Sequence, residues 1–289
     1  MKKVVLLSIL VLLVTSFSFA VSIGLSVSTL NNPFFVDLAN GAKEKAKELG
    51  IDLKVADARD DSAKQLNDVE DLIGQKVDIL LINPTDSDAI VAAIEEANKA
   101  KIPVITVDRG ASGGDVLLHI ASDNVAGGRL AGEYIVEKLN GKGKVIELVG
   151  IPGTSSARDR GKGFNEVIEK YPEIKVVARQ TANYNRAEGL TVMENLLQAH
   201  PDINAVFAHN DEMALGAIEA IKAAGKLKNI IVVGFDATPD ALESVKKGEL
   251  SATIAQQPYR MGELAVEKAY EFLQTKTIYF PVDLQLVTQ

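Results

Sequence analysis

The sequence contains no cysteine and no tryptophan, and only 5% of its 289 residues are aromatic. Without cysteine the chain has no disulfide, no thiolate metal ligand and no cysteine nucleophile. Its three histidines, at positions 119, 200 and 209, do not match the short spacings of metal-binding motifs. The glycine-rich motifs that hold phosphates are absent, and nothing singles out a nucleophile or a general base. We therefore expect no metal, no cofactor, no catalytic residue and no enzymatic activity.

Positive charge is also scarce. Lysine and arginine number 31 against 39 acidic residues, which gives a formal net charge of −8. The first twenty residues hold Lys2 and Lys3 and no acid, so the remainder carries 29 basic and 39 acidic residues, a net charge of −10. Phosphate backbones repel so acidic a protein unless it carries a local basic patch, and the sequence shows none. Nucleic acid is therefore not an expected partner.

The first twenty residues have the organisation of a secretory signal peptide. A basic start at Lys2 and Lys3 precedes an apolar run over Val4–Val14, and the small residues Ser18 and Ala20 have the spacing that a signal peptidase reads. The alternative is an N-terminal membrane anchor, but the run is shorter than the roughly 20 residues that cross a bilayer. We expect cleavage after Ala20 and export of the remainder to a periplasm.

From Val21 onward, apolar β-branched runs alternate with amphipathic stretches of helical length. The predicted strands are Ser22–Val27, Asp52–Ala56, Ile79–Ile82, Val104–Val107, Val116–Ile120, Lys144–Leu148, Lys175–Gln180, Ala205–Ala208, Ile230–Gly234 and Ala252–Ala255. Apolar strands that alternate with helices are typical of parallel sheets covered on both faces. Because ten strand–helix units are too many for one comfortable sheet, we predict an α/β fold with two similar lobes, the first ending near Ser122.

Polar side chains and phenyl rings follow several of these strands, and ligands of open parallel sheets bind beyond the carboxyl ends of the strands. The segments concerned are Ser28–Phe35, Asp108–Arg109, His209–Asp211, Phe235–Asp236 and Gln256–Pro258, with Arg158 and Arg160 at the start of a helix. This mixture suits a sugar, because each hydroxyl both donates and accepts hydrogen bonds and the ring's C–H faces pack on aromatic rings.

Each of these residues also has a plainer interpretation. Asparagine or aspartate after a strand is most often a helix cap, and Phe34 and Phe35 fit a hydrophobic core equally well. The recurrence of such residues at five strand ends favours a binding site over five separate structural roles.

The same residues carry a family resemblance that extends over Val21–Gln289. The matching stretches are Ser28–Phe35 (STLNNPFF), Leu80–Asp88 (LLINPTDSD), Ile102–Arg109 (IPVITVDR), His119–Asn124 (HIASDN), Ala205–Gly216 (AVFAHNDEMALG), Val232–Asp240 (VVGFDATPD) and Ala252–Gln256 (ATIAQ). The chain resembles the periplasmic sugar-binding proteins of ABC importers, and most closely the members that bind D-ribose.

The resemblance implies a set of ligand-binding residues. The hydroxyl-binding positions of the family match Asn32, Asp108, Arg109, Arg160, Asn210, Asp236 and Gln256, with Ser28 near the same pocket. Phe34 and Phe35 match the rings that pack on the sugar from one lobe, and Phe235 matches another pocket aromatic. Tyr184 falls where the family usually has phenylalanine, and its additional hydroxyl needs a partner.

The resemblance also implies the architecture and the partners. Two Rossmann-like lobes are joined by three crossings, expected near residues 122–123, 255–256 and 283–284, with the sugar between the lobes and closure by a hinge motion. After a signal peptide at 1–20, the N-terminal lobe then comprises residues 21–122 and 256–283, and the C-terminal lobe residues 123–255 and 284–289. The partners implied are D-ribose and the membrane subunits of an ABC importer, and the protein is expected to be a monomer.

Three functions other than delivery of a sugar to an importer are considered, and each makes a different prediction. A sugar-responsive transcription regulator shares the two-lobed core but carries a basic DNA-binding segment before it, where this chain has a signal peptide. Delivery of the sugar to a chemoreceptor is compatible with transport. A secreted sugar-modifying enzyme would convert the bound sugar, which mass spectrometry of the recovered sugar would reveal.

Overall fold

The computed structural model describes residues 21–278. The predicted signal peptide with its cleavage after Ala20 lies outside the described residues. So does the third crossing expected near Asp283 and Leu284. Within the described part no helix is long and apolar enough to cross a membrane.

Strands and helices alternate along the described chain. The strands are β1 (Ser22–Val27), β2 (Asp52–Asp57), β3 (Ile79–Ile82), β4 (Val104–Val107), β5 (Leu118–Ile120), β6 (Gly143–Val149), β7 (Ile174–Thr181), β8 (Ala205–Ala208), β9 (Ile231–Asp236) and β10 (Ala252–Ala255). The helices are α1 (Pro33–Leu49), α2 (Ser62–Gly74), α3 (Val91–Lys99), α4 (Asn124–Lys138), α5 (Ser155–Ile168), α6 (Arg186–Ala199), α7 (Asp211–Ala223), α8 (Pro239–Lys246) and α9 (Pro258–Thr275).

The strands form two five-stranded parallel sheets, in the orders β2-β1-β3-β4-β5 and β10-β9-β8-β6-β7. In each sheet the strand order changes direction beside the strand that comes first in the sequence, between β1 and β3 in one sheet and between β6 and β8 in the other. At such a point the chain segments that follow the two strands separate, and the crevice between them has room for a ligand. Helices cover both faces of each sheet. In the first, Leu81 packs with α1 and α9 while its neighbour Leu80 packs with α2 and α3, as the strand period of two requires. The predicted two-lobed α/β fold is confirmed.

The chain crosses between the sheets twice within the described residues. It leaves the first sheet after β5, which ends at Ile120, and α4 then packs on α5 and the second sheet. It returns after β10, which ends at Ala255, and α9 packs on α1. We call the first sheet with α1, α2, α3 and α9 the N-terminal lobe, and the second sheet with α4–α8 the C-terminal lobe. The exact boundaries given above stay a prediction.

A close helix contact fixes the start of α5 in the C-terminal lobe. A Cβ atom added at Gly128 of α4 would lie 2.2 Å from the carbonyl oxygen of Arg160, far inside contact distance. One added at Gly163 would lie 1.9 Å from the carbonyl oxygen of Val125. The two helices therefore approach backbone to backbone, and this approach sets the position of Arg160 relative to the second sheet.

Candidate functional site

A small cavity lies between the lobes, at the carboxyl ends of both sheets. Its lining residues are Asn32, Phe34, Phe35, Asp108 and Arg109 of the N-terminal lobe and Ser156, Arg160, Tyr184, Asn210 and Asp236 of the C-terminal lobe. The empty space that they surround is about 230 Å³, part of it continuous with open solvent. Nine of the twelve predicted ligand-binding residues thus meet in one place.

Two of these residues cap helices while lining the cavity. Asn32 caps α1, its side-chain oxygen accepting from the backbone N–H of Phe34 at 3.0 Å. Asn210 caps α7 in the same way, accepting from the backbone N–H of Met213 at 3.0 Å. Because capping uses the amide oxygen, the amide N–H groups are the part that can serve a ligand. The capping and binding interpretations are therefore compatible.

Three cavity residues have backbone conformations that are rare outside glycine. Asp108 follows β4 with φ at 61°, Asp236 ends β9 with φ at 122°, and Tyr184 follows β7 with φ at 59°. Positive φ values cost free energy for residues with a Cβ, and they concentrate at functional sites. Here they turn each side chain from its strand or loop into the space between the lobes.

The N-terminal lobe contributes a carboxyl and a guanidinium whose hydrogen bonding is incomplete. Asn83 donates to Asp108 Oδ2 at 3.3 Å, but Asp108 Oδ1 has no hydrogen-bond partner within residues 21–278. Arg109 donates from Nη1 to the carbonyl of Pro84 at 3.3 Å, and its Nε is likewise without a partner in that range. Both side chains are 3% exposed. Buried polar atoms without partners are costly, so these two atoms mark where a polar ligand would gain most.

The C-terminal lobe contributes a matching pair that the protein holds more tightly. Arg160 donates from Nε to Asn124 Oδ1 at 2.8 Å and from Nη1 to the carbonyl of His209 at 2.6 Å. Its Nη1 lies 3.6 Å from Asp236 Oδ1, and its guanidinium stacks 3.9 Å from the centroid of the Phe235 ring. This guanidinium therefore has a fixed plane before any ligand binds.

The two carboxyls titrate abnormally because they are buried. Burial raises the pKa of Asp108, and the guanidinium groups of Arg109 and Arg160 oppose that change. Burial raises the pKa of Asp236 well above its ordinary value; Arg160 opposes this and the nearby carboxyl of Asp211 adds to it. With both carboxyls ionised, two guanidinium groups face two carboxylates, and the cavity then has no strong excess of either charge. That balance suits an uncharged polar ligand better than a phosphate or an amine.

Aromatic rings form opposite walls of the cavity. Phe34 and Phe35 meet edge to face with ring centroids 5.2 Å apart, and both belong to the core of the N-terminal lobe. Tyr184 faces them from the C-terminal lobe, its ring centroid 5.2 Å from the guanidinium carbon of Arg109. The core and ligand interpretations of the phenyl rings are compatible, since one edge packs inside the lobe while the other lines the cavity.

Three predicted residues lie behind the cavity walls. Ser28 is fully buried, and its backbone N–H donates to Asn83, which in turn holds Asp108. Phe235 lies beneath the guanidinium of Arg160, and Gln256 donates from Nε2 to Asp236 Oδ1 at 2.8 Å. Their contact with a ligand stays a prediction. In the structure they support the two arginine–aspartate pairs of the cavity.

Ser156, Asn83 and Asn124 were missed by the sequence reasoning. Asn83 and Asn124 each follow a strand of the first sheet, so the rule that selected Asp108 applies to them too. Ser156 is the second residue of α5, well beyond the end of β6, and it carries no comparable signal.

The lobes touch beside the cavity and close it. The backbone N–H of Ser87 donates to the carbonyl of Gly153 at 2.9 Å, and that of Gly110 donates to Ser155 Oγ at 2.9 Å. Arg158 donates from Nη2 to Ser87 Oγ at 3.3 Å. The two lobes thus adopt a closed arrangement, with the cavity residues on both sides within reach of one small molecule.

One stretch has the letters of a hydrolase nucleophile elbow without its geometry. Residues 110–114 read G-A-S-G-G, which fits G-x-S-x-G. In that elbow the serine occupies a sharp turn between a strand and a helix. Ser112 instead lies in an exposed irregular segment between β4 and β5, and its hydroxyl donates to the carbonyl of Ser87. In residues 21–278 no three histidine or acidic side chains cluster as metal ligands would.

Comparisons with known proteins agree with this architecture. A family model described as a periplasmic binding protein domain matches residues 23–277. The ribose import binding protein of Bacillus subtilis is 54% identical over 268 residues, covering 91% of this chain and 87% of that protein. The protein of the same name from Haemophilus influenzae is 49% identical and covers all of both chains.

Solved structures extend the likeness to proteins with other ligands. A Caulobacter myo-inositol binding protein superposes with a TM-score of 0.86 at 34% identity, covering 89% of this chain and 88% of that one. The binding protein of an arabinose ABC transporter from Shewanella superposes with a TM-score of 0.85 at 37% identity and 89% coverage of this chain. On the family model, the relatives and the shared fold, the chain belongs to the periplasmic binding protein family.

Proposed function

We propose that this protein captures D-ribose between its lobes and delivers it to the membrane subunits of an ABC importer. The observation that carries the proposal is the pair of buried guanidinium–carboxyl sets, Arg109 with Asp108 and Arg160 with Asp236, on opposite sides of one small cavity. The relatives named for ribose import support the choice of sugar.

The cavity chemistry supports a monosaccharide. A sugar hydroxyl donates to a carboxylate and accepts from a guanidinium or amide, so it can use Asp108 Oδ1 and Arg109 Nε, neither of which has a hydrogen-bond partner among the described residues. The rings of Phe35 and Tyr184 offer apolar surface to the C–H faces of the sugar. A pentose has only about ten non-hydrogen atoms, and micromolar affinity needs close to −0.8 kcal/mol per atom. Nearly every hydroxyl must therefore be bonded.

The aromatic walls of the cavity support a pentose over a hexose. Walls on two sides leave little room for an added hydroxymethyl group, whose hydroxyl would also be buried without a partner, at about 1–3 kcal/mol. The fold alone does not select the sugar, because structures of this shape have been solved with myo-inositol and with D-allose bound. Selection therefore depends on the residues that line the cavity.

Delivery to an importer requires export and a conformational signal. The signal-peptide pattern supports export to the periplasm after cleavage at Ala20. The contacts between lobes, from Ser87 to Gly153 and from Gly110 to Ser155, support a closed state that membrane subunits can distinguish from an open one.

Calorimetric titration of the mature protein with D-ribose, other pentoses and D-glucose tests the proposal. We expect ribose to bind about a hundredfold or more tighter than glucose, and to be recovered chemically unchanged. Phe34→Ala should weaken ribose binding and narrow the ratio, with thermal unfolding measured on the same sample to separate lost stability from lost contact. Equal affinity for ribose and glucose, or tighter binding of another sugar, would overturn the choice of D-ribose.

A further inference from the structure

We propose that the Tyr184 hydroxyl, held by Ser156, hydrogen-bonds the bound sugar and makes one particular sugar hydroxyl a requirement for tight binding. The inference rests on the proposed sugar-binding function and adds to it a polar contact on what is otherwise an apolar wall. A phenylalanine at position 184 would supply the ring without the contact.

The two hydroxyls meet at the cavity wall. Tyr184 Oη lies 3.0 Å from Ser156 Oγ, and both residues line the cavity. Tyr184 is 8% exposed and Ser156 is 2% exposed, so bulk water cannot readily satisfy either hydroxyl. A hydroxyl provides one donor and two acceptor positions. One hydrogen bond between the pair therefore leaves hydrogen-bonding capacity that is unused within the pair.

The hydrogen bonds of the neighbouring hydroxyls indicate whether Tyr184 Oη keeps a donor or an acceptor position free. Thr154 Oγ1 donates to the carbonyl of Ile151 at 2.8 Å, so its proton is committed. Ser156 Oγ lies 3.4 Å from Thr154 Oγ1, which can therefore only accept from it. Ser156 in turn is left to accept from Tyr184. In this direction of donation Tyr184 Oη keeps a free acceptor position on a residue that lines the cavity, which fits a sugar O–H donor.

The Tyr184 ring is fixed from several sides, so the hydroxyl cannot simply turn away. A Cβ atom added at Gly150 would lie 2.1 Å from Tyr184 Cζ, which shows how closely the backbone packs on the hydroxyl end of the ring. The backbone carbonyl of Tyr184 accepts from Asn210 Nδ2 at 3.4 Å. The guanidinium carbon of Arg160 lies 5.8 Å from the ring centroid. Tyr184 is therefore oriented by the same elements that place two other cavity residues.

Three variants separate this role from a purely structural one. Tyr184→Phe removes the contact, Ser156→Ala removes its support, and the double variant leaves no unpaired hydroxyl and is the safest to fold. Tyr171→Phe changes a tyrosine that is 40% exposed and is the matched control. Each is titrated with D-ribose and with a panel of monodeoxy-D-riboses that each lack one hydroxyl, and thermal unfolding of the ligand-free proteins is recorded.

We expect Tyr184→Phe to lower the affinity for ribose about five- to fiftyfold, and Ser156→Ala to lower it about three- to tenfold. The double variant should match Tyr184→Phe within about twofold, because both changes remove one contact. For one deoxy sugar, wild type and Tyr184→Phe should bind equally, since that sugar lacks the hydroxyl in question. Ribose affinity within twofold of wild type for Tyr184→Phe, or an equal loss for every deoxy sugar, would overturn the inference. Failure of the wild-type protein to bind ribose at all would instead refute the proposed function, and the same comparison would then use the sugar that it does bind.

Discussion

The two lobes supply the cavity with the same kinds of side chain but satisfy them differently. Each contributes an asparagine that caps a helix, an aromatic wall, an arginine and an aspartate with positive φ. In the C-terminal lobe Arg160 has two hydrogen bonds of 2.8 Å or less to the protein and an aromatic ring beneath it. In the N-terminal lobe the Arg109 side chain has one hydrogen bond, of 3.3 Å, and its Nε has no hydrogen-bond partner in the described chain. Its guanidinium carbon lies 4.9 Å from the centroid of the Phe35 ring, farther than the 3.9 Å between Arg160 and Phe235.

The two lobes therefore contribute to ligand binding in different ways. The C-terminal half of the site is arranged before binding, so it offers a ligand a fixed geometry at little further ordering cost. The N-terminal half has polar atoms left over, so it gains more hydrogen bonds when a ligand arrives between closed lobes. Removal of the equivalent residue from each lobe should therefore have unequal consequences for binding and for stability.

The largest effect is expected for Arg109→Ala on affinity. Loss of the guanidinium leaves ligand oxygens and the carboxyl of Asp108 unpaired, at a cost on the order of 2–5 kcal/mol, which reaches more than a thousandfold in affinity. Because Arg109 makes few bonds to the protein, the free energy of unfolding without ligand should change much less. Calorimetric titration and urea unfolding of the same variant measure the two. A variant that still bound ribose within tenfold of wild type would show that this arginine is misassigned.

Arg160→Ala should reduce affinity similarly but also destabilise the ligand-free protein. The carbonyl of His209 and the amide of Asn124 lose a donor, and Asp236 loses its charged neighbour. We expect a loss of about 2–4 kcal/mol in the free energy of unfolding, at least twice that of Arg109→Ala. Equal unfolding free energies for the two variants would contradict the proposed difference between the lobes.

The sequence predicted the fold and most of the cavity for a clear physical reason. Parallel strands are buried on both faces, so they read as unbroken apolar runs, and the residues after them must gather at one edge of the sheet. Short edge strands carry less of this signal: the strand predicted at Val116–Ile120 begins at Leu118 in the structure. Ser156 lies at the start of the same helix as Arg160, but the sequence does not show its contact with Tyr184, a residue 28 positions away.

A third carboxyl lies behind the prearranged pair and should make stability depend on pH. Burial raises the pKa of Asp211 to about 6, although Thr253 and Thr238 donate hydrogen bonds to it. A carboxyl whose folded pKa exceeds its unfolded value binds more protons when folded. Its favourable contribution is therefore present below about pH 4 and lost as the pH rises through 6.

Asp211→Asn should abolish that contribution to the pH dependence. Relative to wild type, the variant's free energy of unfolding should rise by up to about 3 kcal/mol between pH 4 and pH 7. Urea unfolding over this range measures the difference, with the exposed Asp88→Asn as a control for the general effect of removing a carboxylate. A difference that stays flat with pH, or falls, would mean that Asp211 is ionised throughout.

The smallest effects are expected for the two helix-capping asparagines, Asn32 and Asn210. Their variants test whether the two lobes contribute equally through these residues. Asn32→Ser and Asn210→Ser each keep a side-chain oxygen that can cap the helix but lose the amide N–H groups. Unfolding free energies should therefore stay within about 0.5 kcal/mol of wild type, while ribose affinity falls about tenfold, the value of one hydrogen bond to a ligand.

The two asparagines differ in whether their amide N–H groups are already used. Asn210 donates from Nδ2 to the carbonyl of Tyr184 at 3.4 Å, whereas the contacts described for Asn32 include no donation that would compete with a ligand. The loss should accordingly be the greater for Asn32→Ser, again on the side of the cavity with more unsatisfied groups. Ribose affinity within about twofold of wild type for both variants would mean that these residues act as caps alone, and the opposite order of losses would contradict the difference between the lobes.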